Sequence, residues 1–274
     1  MRYIIRGLME TAILVENGIR RIITLDEYAN VISGKEKRDW PELCCVVCDK
    51  PVHQKGLLVA NDDFTPRFSH AKKAPSAEFC PLGSESKRFN ALESNEKSLS
   101  LEEAHLRRER FMEPATFRCA YLVCRHLRGG QGQLTLKDFT RMIEVADSIG
   151  MWRHTWLPDW SIPLMLMLMA NHKTRNGQHQ FYYRVKRIRR TQHADWDPAN
   201  VHLVACWLDT GTRIRGGEKK SSFPHTIPLS ESYVNGITKL TERDATTWAQ
   251  KENFVNLLDR YRAGLLNNQQ LQDE

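Results

Sequence analysis

Cys45-Val-Val-Cys48, Arg67-Phe68-Ser69-His70 and Phe79-Cys80-Pro81 are three pieces of one segment, and their reading decides how the N-terminal third of the chain folds. A Cys-x-x-Cys pair followed by a spaced histidine and a further cysteine is the arithmetic of metal ligation. Thiolate and imidazole suit zinc, and four of them close a tetrahedron. The two-residue gap lets Cys45 and Cys48 reach one ion from a single turn, while His70 and Cys80 come from a distant piece of chain. Such an ion staples about 35 residues that hold too little apolar content to fold unaided. The expected ligands of a structural Zn²⁺ are therefore Cys45, Cys48, His70 and Cys80. Cys44 competes with Cys45 for its place, and His53 with His70. Phe68 favours His70, because it can pack beneath the site from two residues away. Four protein ligands leave no open position for a substrate water, so the site reads as structural rather than catalytic.

Working outward toward the N-terminus, Thr11–Glu16 and Ile19–Thr24 are β-rich runs joined by Asn17-Gly18. That dipeptide signals a hairpin, since both turn residues must accept positive φ. Thr24-Leu-Asp-Glu27 is a capping box for a short helix reaching about Val31. Lys50-Pro-Val-His-Gln-Lys-Gly56 reads as a second small turn, and residues 66–70 as the end of a strand.

The order of these pieces resembles the N-terminal zinc-binding region of CoiA-like competence proteins. Cys45, Cys48, Pro51, Val52, Lys55, Gly56, Phe68 and His70 fit that pattern, as does Ser84-Glu85-Ser86 after Cys80. Val46 stands where proline is usual, and Arg67 where a first histidine would stand. The resemblance covers roughly residues 10 to 90. It implies a role in handling incoming DNA, and in that family a restriction-endonuclease-like domain often follows the zinc region.

Beyond Phe89 the sequence turns helical. Ser100-Leu-Glu-Glu103 is a capping box for a helix that stops before Pro114. Thr116–Arg125 reads as either helix or strand, with Cys119 and Cys124 as core thiols. Thr135 and Asp138 cap another helix that ends at Gly150, with Leu136, Phe139, Met142, Ile143, Ala146 and Ile149 on one face. Trp152, Trp156 and Trp160 are expected in the core. Ile162–Ala170 is too short to span a membrane and reads as a helix apolar all round. Val201–Leu208 is apolar on both faces, hence a central strand. Pro224 and Pro228 suggest irregular chain, and Thr241 with Asp244 a last helix whose buried face carries Trp248, Val255, Leu258, Tyr261 and Leu265. The fold class is thus α+β, an N-terminal β-hairpin with a zinc knuckle (residues 1–90) followed by a larger, mainly helical region with a few strands (91–274).

Charge supplies the functional signal. The chain has 274 residues, seven cysteines and a formal net charge of +7. An odd number of cysteines in no repeating framework, without a basic-then-apolar leader, points to a reducing, cytoplasmic setting. Residues 171–190 contain Lys173, Arg175, Arg184, Lys186, Arg187, Arg189 and Arg190 and no acidic residue, so this run alone matches the net charge. Phe181, Tyr182 and Tyr183 lie between the two basic groups. Arginine forks hold phosphates and aromatic faces can stack bases, so the expected partner is nucleic acid, with DNA ahead of RNA. The expected function is a zinc-stabilised nucleic-acid-binding protein of a bacterial system that handles foreign DNA. Two alternatives stand beside it. A restriction-endonuclease-like nuclease would use Asp209, Glu218 and Lys220 to hold Mg²⁺, although the glycine-flanked Glu218 reads more readily as a turn. A non-catalytic subunit would instead dock on protein partners through its Met-rich run and tryptophans. No other enzyme motif is present.

Overall fold

The computed structural model describes residues 9–57, 66–71, 80–83, 86, 88–89, 99–129, 133–154, 157–187, 201–215, 223–248 and 259. Strands β1 (Thr11–Glu16) and β2 (Ile19–Thr24) pair antiparallel around Asn17 and Gly18, both at positive φ. Helix α1 (Leu25–Ile32) starts at Thr24, whose hydroxyl accepts from the Glu27 N–H while the Glu27 carboxylate accepts from the Thr24 N–H. Strand β3 (Glu42–Cys44) adds to the other edge of β1, giving the order β2-β1-β3. A separate ribbon, β4 (Val52–Lys55) and β5 (Arg67–His70), places Val52 opposite His70.

Three helices build the next layer: α2 (Leu101–Phe111), α3 (Pro114–Leu127) and α4 (Leu136–Ser148). Ser100 and Thr135 cap α2 and α4 as their sequences require. Pro114 occupies the first turn of α3, where its missing N–H costs nothing. The stretch left open between strand and helix is therefore α3, with Cys124 buried inside it and Cys119 half-buried. Trp152 is buried and its indole N–H donates to Asp147, Trp160 packs against the core, and Trp156 lies outside the described residues.

The apolar run from Ile162 differs from expectation. Helix α5 is only Ile162–Leu166; the chain then turns through Met167–Met169, all of it buried, and enters β6 (His172–Lys173). The turn is what lets buried His172 bond back to the Met167 carbonyl at 2.9 Å. Strands β7 (Gln180–Arg187), β8 (Val201–Trp207) and β9 (Thr226–Pro228) complete an antiparallel sheet in the order β6-β7-β8-β9, with β8 internal. Pro228, expected in irregular chain, belongs to the edge strand β9, a position that tolerates a residue without an N–H. Helix α6 (Glu231–Trp248) begins ten residues before Thr241. Ser230 takes the capping role, accepting from the Tyr233 N–H, whereas Thr241 lies inside the helix with its hydroxyl donating to Ile237 O. The expected buried positions from Val255 to Leu265 lie outside the described residues.

The architecture is mixed α+β with an N-terminal hairpin. One contiguous set of buried side chains runs from Met9 through the helices to Ile237. Among the described residues, no helix is long and apolar enough to cross a membrane.

Candidate metal centre

Cys45 and Cys48 sit on a tight turn between β3 and β4. Its backbone is fixed by Cys45 N–H to Lys50 O at 2.8 Å and Asp49 N–H to Cys45 O at 3.0 Å. Asp49 adopts φ +59°, a left-handed conformation that Asp tolerates better than most residues. Arg20 of β2 pairs with the Asp49 carboxylate and ties the turn to the hairpin. His70 comes from the end of β5, and Cys80 from a later turn. Phe68 lies beneath, 1% exposed and edge-on to Tyr28.

The four ligand atoms of Cys45, Cys48, His70 and Cys80 all lie within 4.8 Å of one another. The sulfurs of Cys45 and Cys80 are 3.6 Å apart, and the Cys48 sulfur is 3.2 Å from His70 Nε2. A regular tetrahedron with Zn–S near 2.3 Å separates its sulfurs by roughly 3.8 Å, so the spacing fits a four-coordinate ion. The Val47 N–H also points at the Cys45 sulfur, at 3.4 Å, and such donors stabilise thiolate charge. Cys44 and His53 are outside the group. Cys44 pairs with Ile13 in the sheet, and His53 lies one residue along β4 from Val52, hence on the opposite face from His70.

The thiols shift one another. Hydrogen bonds from Cys45 and Cys80, and then His70, hold Cys48 far below an ordinary thiol. The bond to Cys48 pushes Cys45 up to about 12, and burial pushes Cys80 well above an ordinary thiol. Three sulfurs this close repel one another as anions, and a dication is what lets all three ionise together.

Sequence reasoning missed Arg88. It is fully buried, and it donates to Leu168 O and Ala170 O, each at 2.8 Å, and to the Asn171 side chain. Its guanidinium lies over Tyr182, 4.7 Å from the ring centroid. Its own carbonyl accepts from Val185 N–H at 3.0 Å, so this segment lies along the edge of β7. Burial lowers Arg88 to about 10, and the ionised forms of Cys80, Tyr182, Cys48 and Cys45 would oppose that shift. Three thiolates and an imidazole around a divalent ion would carry net charge −1, which a buried guanidinium offsets. Nothing in the polar Ser86-Lys87-Arg88 stretch distinguishes this arginine from a surface one.

The expected nucleic-acid residues divide by face. Lys173 and Arg175 are exposed at the β6–β7 hairpin. Direct pairing puts Arg184 opposite Val204 and Lys186 opposite His202, on the same outer face of the sheet as Arg213, which bridges to Cys206. Lys186 is exposed and Arg184 half-buried. Arg187 closes β7 opposite Val201, and Arg189 and Arg190 lie outside the described residues. The aromatic triplet is not a base-stacking platform. Phe181, Tyr182 and Tyr183 are each 0% exposed; Phe181 stacks on Phe223 at 3.9 Å, and the Tyr183 hydroxyl donates to Pro224 O. Period-two alternation between two covered faces consumes all three rings.

Of the nuclease set, Asp209 is exposed in the turn after β8, where its carboxylate accepts from the Thr210 N–H at 2.8 Å. Glu218 and Lys220 lie outside the described residues. Comparison with protein-family models, with curated proteins and with solved structures finds no match to this chain.

Proposed function

We propose that this chain is a zinc-stapled nucleic-acid-binding protein. In this reading Cys45, Cys48, His70 and Cys80 hold a structural Zn²⁺, because three thiolates and an imidazole at tetrahedral spacing, all buried but half-buried Cys48, suit that ion and leave it no open position. The ion does no chemistry; it holds the hairpin, the β4–β5 ribbon and the Arg88 segment together. The single observation that carries the binding function is the cationic outer face of the β6–β9 sheet. Arg184, Lys186 and Arg213 share that face, with Lys173 and Arg175 at its hairpin end. None of these five has a carboxylate within ion-pair distance among the described residues. Uncompensated guanidinium and ammonium groups on a rigid sheet suit phosphate contacts. The handling of foreign DNA implied by the N-terminal resemblance is the biological setting of this proposal, with DNA placed before RNA.

The test is a binding titration of the zinc-loaded chain on single-stranded DNA, duplex DNA and RNA at several salt concentrations. Affinity that falls steeply and log-linearly with salt supports the reading. No binding at low salt to any of the three overturns it. Plasma emission spectrometry of the purified protein checks the metal, and about one zinc per chain is expected.

A further inference from the structure

On the outer sheet face, Lys186, Arg213, Arg215 and His225 line a cleft together with Thr212 and Thr226. We infer that this cleft is the docking site for the phosphodiester backbone of a nucleic acid, held through phosphates alone and without base contacts. The inference rests on the nucleic-acid reading above and says where and how the strand is gripped.

The cleft is built by the return of the chain after β8. A tight turn brings residues 209–212 round, with Trp207 N–H bonded to Thr212 O at 2.9 Å. Arg213 then bridges to Cys206, and Ile214 N–H bonds to Ala205 O at 2.9 Å. Arg213 and Arg215 are thereby pinned beside β8 and flank Ile214, which is 1% exposed. The buried isoleucine anchors the segment, so the arginine backbones cannot drift.

The chemistry of the lining selects an anion. Three permanent cations, a histidine and two threonine hydroxyls converge there, and no described lining residue is a carboxylate. The partner that orients Arg213 is neutral: its guanidinium donates to the Thr226 hydroxyl at 2.9 Å. One side of the fork is fixed while its charge stays uncompensated, which is the state a phosphate-binding arginine needs. Beside it, directly opposite Lys186, His202 has its Nδ1 buried with no hydrogen-bond partner among the described residues.

The described lining favours phosphate contacts over base contacts. Aromatic faces are what hold the bases of a single strand by stacking. The three aromatics of β7 are enclosed, and no described lining residue is aromatic apart from the imidazole of His225. In this reading the described lining grips a backbone through its phosphates, whatever the bases. A small phosphorylated molecule presents the same oxyanions, so the experiment must separate the two.

The probes are a fluorescent 20-nucleotide single strand in two unrelated sequences, its duplex, and inorganic pyrophosphate, each titrated into the full zinc-loaded chain. Arg213→Gln/Arg215→Gln should weaken oligonucleotide binding at least roughly tenfold, the scale of lost charge-assisted hydrogen bonds. It should also flatten the slope of log affinity against log salt by about 1 to 2. Arg213→Lys/Arg215→Lys should restore the slope, and Arg38→Gln/Lys239→Gln, which removes two exposed cations elsewhere, should change neither. Unchanged thermal unfolding of the glutamine variant confirms that the loss is local. If wild type binds oligonucleotides steeply with salt and the glutamine variant binds equally well, the cleft is overturned and nucleic-acid binding stands. If wild type binds pyrophosphate in the cleft but no oligonucleotide, the strand as occupant is overturned along with the nucleic-acid reading. Binding of neither probe overturns both, and a tenfold preference between the two sequences overturns backbone-only recognition.

Discussion

Replacing Arg88 with methionine tests how the metal centre is joined to the rest of the molecule. Methionine keeps most of the side chain's volume and flexibility but none of its donors. The buried carbonyl of Leu168, the half-buried carbonyl of Ala170 and the amide oxygen of half-buried Asn171 would each lose a charged donor. A buried acceptor left alone costs about 1 to 3 kcal/mol, and the lost cation–π contact with Tyr182 adds about 1 kcal/mol or more. Sparing the desolvation of a buried guanidinium offsets part of this, so the net loss should be about 4 kcal/mol, a large share of the roughly 5 to 15 kcal/mol that holds a domain folded. Urea unfolding of the zinc-loaded protein is the assay, and the midpoint should fall by about 1 to 2 M. A second readout separates packing from charge. If the guanidinium counters the thiolates, competition against a chromogenic chelator should show zinc affinity dropping about tenfold in Arg88→Met but much less in Arg88→Lys. A midpoint shift worth under about 1 kcal/mol would refute the account of Arg88 as the joint. An unchanged zinc affinity would refute its electrostatic role alone.

Zinc removal should be more damaging than any single core substitution, because structural zinc contributes about 10 to 16 kcal/mol in apparent binding energy. Chelation or Cys80→Ser should therefore abolish protection of the β4–β5 amides in hydrogen exchange. Zinc affinity should rise with pH, since Cys45 and Cys80 hold their protons in the metal-free site and must release them; near neutrality the apparent constant should gain about a hundredfold per pH unit. Burial, followed by the charges of Arg107 and Arg153, lowers His154 to about 4 from an ordinary 6.5. The unfolded chain then binds the extra proton more readily. The stability His154 supplies is whole above pH 6.5 and is lost as pH falls toward 4, by roughly 3 kcal/mol; His154→Gln should flatten the unfolding midpoint across that window. Phe181→Ala should cost about 3 to 5 kcal/mol through the cavity left beside Phe223, yet leave the salt slope of oligonucleotide binding unchanged in the fraction that stays folded.

Legibility in the sequence followed the range of the interactions. The hairpin at Asn17-Gly18 and the caps at Thr24, Ser100 and Thr135 are local devices, settled within four residues, and each stands where its residues placed it. The metal group was readable because sulfur and imidazole ligands announce themselves by type, but the choice of Cys45 over Cys44 needed the alternation of β3. Errors came where a distant partner decides. The Met-rich run looks helical throughout, yet it must turn at Met167 so that His172 can enter the sheet. Thr241 looks like a cap, but a helix already started at Ser230 absorbs it. The aromatics of β7 looked available for stacking because nothing local reveals that both faces of that strand are covered at Phe181–Tyr183. Arg88 was invisible for the same reason, since its acceptors lie at Leu168, Ala170 and Asn171, 80 to 83 residues away.

That separation has a consequence during synthesis. At roughly 5 to 20 residues per second, the acceptors of Arg88 leave the ribosome about 4 to 17 seconds after the arginine itself. The ligand set is complete once Cys80 has emerged, so an ion can be captured while the guanidinium still faces water. On the zinc-stapled reading, the nascent chain would pass through a stage in which a loaded, anionic knuckle waits for the strand that will bury its counter-charge, and a supply of free zinc in that interval would govern how much of the protein matures.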